Sequence, residues 1–487
     1  MSAAEAYSLA PYLTITAALV ILLMVIAFAR SHFTAMLTTV AGLVATLAAI
    51  VITADAPAAT VMHLLQIDGY ATFFNCLFVG SAGFTCVLAY RYLTGRKGEL
   101  EEFYILTLIA TLGAMVMAAA IHFATFVLGL EIMSISLYAM IAYPEEKHPP
   151  LEAALKYLVL SAVASTTVLF GMALIYNATG SMYFADLTSV GTGVGGEGLT
   201  THLLVGQAML FTGIAFKLSL VPFHMWTPDV YQGAPAPVTG FLATVSKTAV
   251  FAILMRYAVS ADPLSGEVVA LALTTFAVLS MIAGNILALM QENLKRILAY
   301  SSIAHMGYLM IALLGIARLP DMPFAVETAL IYLAGYTLAT LTAFAVVSML
   351  SSAEVGDDAQ TIEQYKGLFW RHPWAAICLT AALLSLMGMP LTIGFIGKLY
   401  LIAAGVQGTM WLLLWTLIIG SAISVYYYVK IIYAMTLNET AERYPHPQQT
   451  GADMPIVITL GIAVVVIGIY PAPLIEIVRT LMGGFGL

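Results

Sequence analysis

The chain has 487 residues, 61% of them hydrophobic and 9% charged, with a net charge of −8 and a mean hydropathy of +0.96. Soluble domains carry about 25% charged residues, so a water-soluble globular protein is excluded and a polytopic membrane protein is indicated. Alternating apolar and polar strands of about 10 residues are absent, which argues against a barrel, and the negative charge resides in loops and names no partner.

The N-terminal "MSAAEAYSLAPY" has no positive region ahead of its apolar run, so it reads as the lead into a retained first helix. At roughly 20 apolar residues per crossing, fourteen helices are predicted. They fall near 9–29, 34–54, 71–93, 103–120, 123–142, 152–176, 203–223, 236–258, 267–290, 295–316, 325–350, 373–404, 410–434 and 454–480. The polar segments 178–201, 351–371 and 438–453 are too short to be domains. Residues 1–487 therefore form a single all-α membrane domain, with helices 1–3 in 1–100, 4–8 in 101–260, 9–13 in 261–436 and helix 14 in 437–487.

Short loops on the cytoplasmic side are enriched in Lys and Arg. One side holds Arg30, Arg91, Arg96, Lys97, Lys147, Lys295, Arg296, Lys366, Arg371, Lys430 and Arg443, and the other only Arg256, Arg318 and Arg479. Both termini are thus expected to face away from the cytoplasm. The remaining cations, Lys156, Lys217, Lys247 and Lys398, fall within predicted spans, and Glu131 in "FVLGLEIMSIS" is the acid clearly in mid-helix. Each such charge costs roughly 2.5–3.5 kcal/mol at the bilayer centre. Five together, unpaired, would rival the stability of an ordinary domain.

Snorkelling accounts for a lysine near a helix end, and Lys156 is open to that reading. It fits Lys217, Lys247 and Lys398 poorly, because apolar residues flank them on both sides. Desolvation makes a buried ammonium easy to deprotonate, and a nearby carboxylate restores its charge. One buried Glu among several Lys is therefore a set of proton sites coupled by mutual electrostatics. An anion site is the competing reading, but substrate anions usually draw arginine forks, and the buried cations are lysines.

Pro222 follows Lys217 in "KLSLVP", and Pro390 precedes Lys398 in "GMPLTIGFIGK". Proline kinks or breaks a helix, and irregular backbone at membrane depth is tolerated where it is buried in protein or lines a wet cavity. Two interrupted helices, five apart and each bearing a lysine, suggest an inverted repeat with one broken helix per copy. His305 in "SSIAHMGYL" and His224, just past the first break, are either packed hydrogen-bonders or proton relays between lysines. Tyr300, Ser301 and Ser302 are placed to hold water beside His305.

"GTGVGG" at 191–196 has glycine-fingerprint spacing but no preceding strand, which argues against a nucleotide site. Cys76, Cys86 and Cys378 show no metal spacing. The 25 Met and 25 Tyr read as packing and interface residues.

Three blocks carry a resemblance: "FKLSLVPFHMWTPDVYQGAPAPVTGFLATVSK" (216–247), "ENLKRILAYSSIAHMGYL" (292–309) and "GMPLTIGFIGKLYL" (388–401). Together they resemble the antiporter-like membrane subunits of respiratory complex I, the proton-translocating NADH:quinone oxidoreductase. "PDVYQGAP" followed by Lys247 is nearest the N type of subunit rather than its L and M siblings. The resemblance implies two inverted five-helix repeats, each with a half-channel to one side of the membrane. It also implies that Glu131 pairs with Lys217, that Lys247 is the central proton site, and that Lys398 is the exit-side terminal site. Lys156 matches a lysine typical of the N type.

Charge changes near Glu131, driven by quinone reduction elsewhere, would move the proton on Lys247 toward Lys398. NADH, FMN, iron–sulfur clusters and quinone would be bound by other subunits and no cofactor by this chain. The neighbours would be an M-type subunit on one side and the small K and J subunits on the other, with no nucleic acid. The expected location is a bacterial inner membrane with both termini on the periplasmic side. A subunit of a multi-subunit cation/proton antiporter, or of a membrane-bound hydrogenase of the same fold, is the alternative.

Overall fold

The computed structural model describes residues 3–96, 98–143, 148–187, 197–351, 358–437 and 453–483. Lys97, Lys147 and Arg443 of the loop-charge comparison, and the glycine-rich 191–196, lie outside them. In lipid every backbone polar group must be satisfied within its own segment, and the described chain is accordingly almost all helix. In order come α1 (Ala3–Ser8), α2 (Ala10–Phe28), α3 (His32–Thr53), a short hairpin β1 (Ala59–Val61) with β2 (Leu65–Ile67), and α4 (Gly69–Leu93). Then follow α5 (Glu102–Ala119), α6 (Phe123–Ala142), α7 (His148–Thr179), α8 (Glu197–Leu218), α9 (Trp226–Gly233) and α10 (Ala236–Phe241). A π-helical turn (Leu242–Ser246) leads into α11 (Lys247–Ala261), α12 (Glu267–Leu289), α13 (Leu294–Arg318) and α14 (Met322–Leu350). The chain closes with α15 (Leu368–Arg371), α16 (Pro373–Met387), α17 (Ile393–Gln407), α18 (Trp411–Thr436), α19 (Asp453–Ile469) and α20 (Ala472–Met482).

Side chains satisfy the first free N–H groups of several helices. Asp68 accepts from Ala71 N at 2.9 Å, His122 Nδ1 from Ala124 N at 3.1 Å, and Asn293 from Arg296 N at 3.1 Å. Among the described residues, twelve helices are long and apolar enough to cross a membrane, and the bent pair α19–α20 makes a thirteenth. The fourteenth expected span, 373–404, is the pair of shorter apolar helices α16 and α17. The most apolar 18-residue stretch of α10–α11, with the π turn between them, is wholly buried, whereas only 33% of the corresponding stretch of α2 is buried inside the protein. The core thus lies along α10–α11, α13 and α14, and α2–α3 form a lipid-facing edge. Glycines bring other helices together: a Cβ on Gly171 of α7 would lie 2.7 Å from Gly206 O of α8.

Two spans are broken. Helix α8 ends at Leu218, one residue after Lys217, and Ser219 takes a left-handed φ of +64°. The helix expected over 203–223 therefore stops about one turn early, and Pro222, joined by a cis peptide bond, stands inside the gap rather than in a kink. The second break separates α16 from α17, with Gly388 at φ +87°, Leu391 at φ +71°, and Pro390 between them.

The last predicted helix, 454–480, is also interrupted. After Ile469 the chain turns by 83° at Tyr470–Pro471, because neither Pro471 nor Pro473 can extend the helix with an N–H. Helix α20 is amphipathic: Val478 is buried, Leu474, Ile475, Leu481 and Met482 pack against the core, and Glu476, Arg479 and Thr480 are exposed. It lies across the start of α4, where a Cβ on Gly69 would meet Leu481 O at 1.8 Å.

Candidate functional site

The first lysine is set by the break. The last turn of α8 aims Lys217 Nζ at Ser134 Oγ of α6 (2.8 Å) and Ser161 Oγ of α7 (2.6 Å), and Tyr138 OH donates to Ser161 Oγ at 2.7 Å. Glu131 sits three residues, about one turn, before Ser134 on α6, and its Oε1 is buried without a hydrogen-bond partner. Among the described residues Glu131 and Lys217 form no direct ion pair. The pairing that the resemblance implies is indirect here: the serines hold the ammonium, and the carboxylate acts on it through space. The backbone freed by the break is covered. Trp226 Nε1 donates to Phe216 O at 2.9 Å and Val221 N to Ser280 Oγ at 2.8 Å, while the Thr227 hydroxyl donates to the Ser219 side chain at 2.5 Å. His224, inside the gap, is buried, and among the described residues no side-chain hydrogen bond or ion pair joins it to the lysines.

Lys247 opens α11 directly after the π turn. Its Nζ donates to Ser302 Oγ of α13 at 2.8 Å and stands 5.4 Å above the Tyr231 ring of α9. Ser302 Oγ is 2.6 Å from Tyr336 OH of α14, which donates to Ala243 O at 3.1 Å. A π turn disturbs the regular hydrogen-bond ladder, and the Ala243 carbonyl within it takes this bond from Tyr336. Such turns occur often at functional positions.

Lys398 lies in α17, just past the second break. Its Nζ donates to Met387 O, at the end of α16, at 2.8 Å, and to Ser421 Oγ of α18 at 3.0 Å, with the Tyr308 ring 5.2 Å away. A cation at a helix C-terminus meets the negative end of the helix dipole. His305 Nδ1 is 2.6 Å from Tyr332 OH, and a small cavity is walled by His305, Tyr332, Tyr336, Ser385, Gly394 and Lys398. Helix α13 therefore presents Ser302 to Lys247 and, one turn later, His305 to the cavity of Lys398. Ser301 instead meets Tyr428 OH, and Asn285 Nδ2 donates to Tyr308 OH at 2.9 Å.

Lys217, Lys247 and Lys398 are thus buried, but Lys156 is not. Its side chain is 46% exposed and forms ion pairs with Glu152 (2.7 Å) and Asp229 (3.4 Å), the latter also bound by Arg296 at 2.9 Å. Because α7 begins at His148, Lys156 lies only about two turns in and reaches the surface, as snorkelling requires. The lysine row does not include it.

Four ion pairs with buried members among the described residues are unforeseen, including Arg91 with the buried Asp453 at 3.6 Å. Arg256 and Asp68 form a two-pronged pair at 2.9 Å on both arms, Lys295 holds Asp358 at 2.7 Å, and Arg479 holds Glu327 at 2.9 Å. Arg256 and Lys295 are therefore interior cations rather than members of the loop-charge comparison. Their partners lie 188 and 63 residues away in the chain, a separation that no local pattern signals.

Hydroxyls, phenols and one imidazole thus surround the buried ammonium groups, an arrangement suited to passing protons. Residues 120–424 match the family described as NADH:quinone oxidoreductase/Mrp antiporter, TM. A chain from respiratory complex I of Thermus thermophilus with bound aureothin is 32% identical, with a TM-score of 0.81 over 96% of this chain and 98% of that one. Chains of an archaeal membrane-bound sulfane sulfur reductase (23% identity, TM-score 0.84, 99% and 97% covered) and of the Mrp complex from Dietzia sp. DQ12-45-1b (19%, 0.82, 99% and 97%) share the fold. The chain belongs to the antiporter-like NADH:quinone oxidoreductase/Mrp family of membrane subunits.

Proposed function

We propose that this chain is the N-type subunit of a proton-translocating NADH:quinone oxidoreductase, carrying no redox centre and moving protons through Glu131, Lys217, Lys247, His305 and Lys398. The observation that carries the reading is three buried lysines, each held by hydroxyls: Lys217 by Ser134 and Ser161, Lys247 by Ser302, and Lys398 by Ser421. The 32% identity to a complex I chain across nearly the whole length supports that complex over the other two. Each lysine has different neighbours, so a shift of charge near Glu131 acts on Lys217 first, then on Lys247, then on Lys398. His305 passes the proton beside Tyr332, while Lys156 is a surface contact and His224 a packed ring in this scheme.

Segments 101–260 and 261–436 are the two inverted repeats, each holding one break. NADH, FMN, iron–sulfur clusters and quinone bind to other subunits; the neighbours are an M-type subunit and the small K and J subunits. The termini face the periplasm of a bacterial inner membrane.

Lys217→Ala tests the reading in the native host, with NADH:quinone electron transfer and NADH-driven acidification measured in the same membrane vesicles. Both fall together in an assembled complex if the reading holds. Untouched electron transfer with lost tolerance to sodium or alkali makes the chain a cation/proton antiporter subunit instead.

A further inference from the structure

The C-terminal helix brings a charge to the end of the molecule at which the second broken span finishes. Arg479 Nε of α20 donates to Glu327 Oε1 of α14 at 2.9 Å, and Tyr400 OH of α17 donates to the same oxygen at 3.2 Å. Glu327 is 11% exposed and Arg479 is 62% exposed, so the pair links the interior to solvent. Tyr400 is two residues beyond Lys398. Tyr332, which holds His305 and lines the cavity shared with Lys398, is five residues from Glu327 on α14, about 7.5 Å along the axis. The two helices touch along this stretch, since a Cβ on Gly397 would lie 3.0 Å from the Tyr332 ring. The end of α19 rests on the break itself, where a Cβ on Gly468 would meet Thr392 at 2.3 Å.

We propose that Glu327 is the outward proton acceptor beyond Lys398, and that α20 is the strap holding its counter-charge, Arg479, in place. The proposal rests on the reading of Lys398 as a proton site. The Lys398 ammonium gives its proton to water in the cavity and becomes an amine. The Glu327 carboxylate takes a proton from that water chain and becomes a carboxylic acid. Release to the aqueous face restores the carboxylate, which pairs again with Arg479. An anchor for α20 would need only the hydrogen bonds, and glutamine supplies those.

Glu327→Gln keeps an oxygen for Arg479 and Tyr400 but cannot take up and release a proton, whereas Glu327→Asp keeps that chemistry. In vesicles with normal amounts of assembled complex, Glu327→Gln lowers NADH-driven acidification by roughly tenfold or more, the scale of losing a proton-transfer group. Glu327→Asp recovers most of it, and Arg479→Gln gives a smaller loss that Arg479→Lys restores. Full pumping in Glu327→Gln overturns the proposal, as does equal loss in the Gln and Asp variants. Lys398→Ala runs in parallel: its loss of pumping beside an active Glu327→Gln defeats this inference alone, and its full activity defeats the reading of Lys398 beneath it.

Discussion

The two breaks use the same interruption of a helix to hold a lysine in different ways. Lys217 precedes its break and is held by side chains alone, Ser134 and Ser161, from two other helices. Lys398 follows its break and binds the backbone at Met387 O, with one hydroxyl added by Ser421. At the first break Trp226 and Ser280 bind the freed backbone, leaving the lysine to respond to neighbouring helices. At the second, the lysine itself caps the broken helix. The first site is therefore tuned by what moves around it, and the second is anchored to its own span.

Replacing Gly394 sharpens this contrast most strongly. A Cβ there would lie 1.8 Å from Ser385 O, so Gly394→Ala destabilises the second break by about 3 kcal/mol. The check is the amount of assembled complex in membranes and its thermal midpoint. Next is the hydroxyl pair: Ser134→Ala with Ser161→Ala removes both hydroxyls that hold Lys217, at about 1.5–3 kcal/mol per bond to a charged group. NADH-driven acidification then falls far more than in Ser421→Ala, where Lys398 keeps its carbonyl. Equal losses in vesicle assays would erase the distinction between the sites. Smallest is Lys156→Ala, whose exposed ion pairs contribute about 0.5 kcal/mol. Pumping stays near the parental level, and a large loss would return Lys156 to the row.

Apolar run length placed the spans, because a bilayer imposes it on each helix separately. The cost of isolated charge singled out Lys217, Lys247 and Lys398 for the same local reason. The point of each break was less legible. Pro222 marks the first, but the helix already ends at Leu218, where Ser219 turns left-handed. In "YPAP" at 470–473 the proline spacing is a signal that identifies the bend before α20. The pairs Asp68–Arg256, Lys295–Asp358 and Glu327–Arg479 depend on which helices become neighbours, and hydropathy does not carry that information. Lys156 shows the converse: a lysine inside an apolar run reaches the surface because its helix starts at 148.

The π turn at Leu242–Ser246 works as a phase shifter. A π turn accommodates one residue more than the α-helical ladder, and each residue of an α-helix advances the angle by about 100°. Winding the same residues as a regular α-helix would leave every charge of the chain in place, yet swing Lys247 by about that angle relative to α10 and away from Ser302. The bearing of the central lysine is thus encoded by the winding of one turn rather than by a residue type. Two chains with identical residues but a regular turn here would be wired differently.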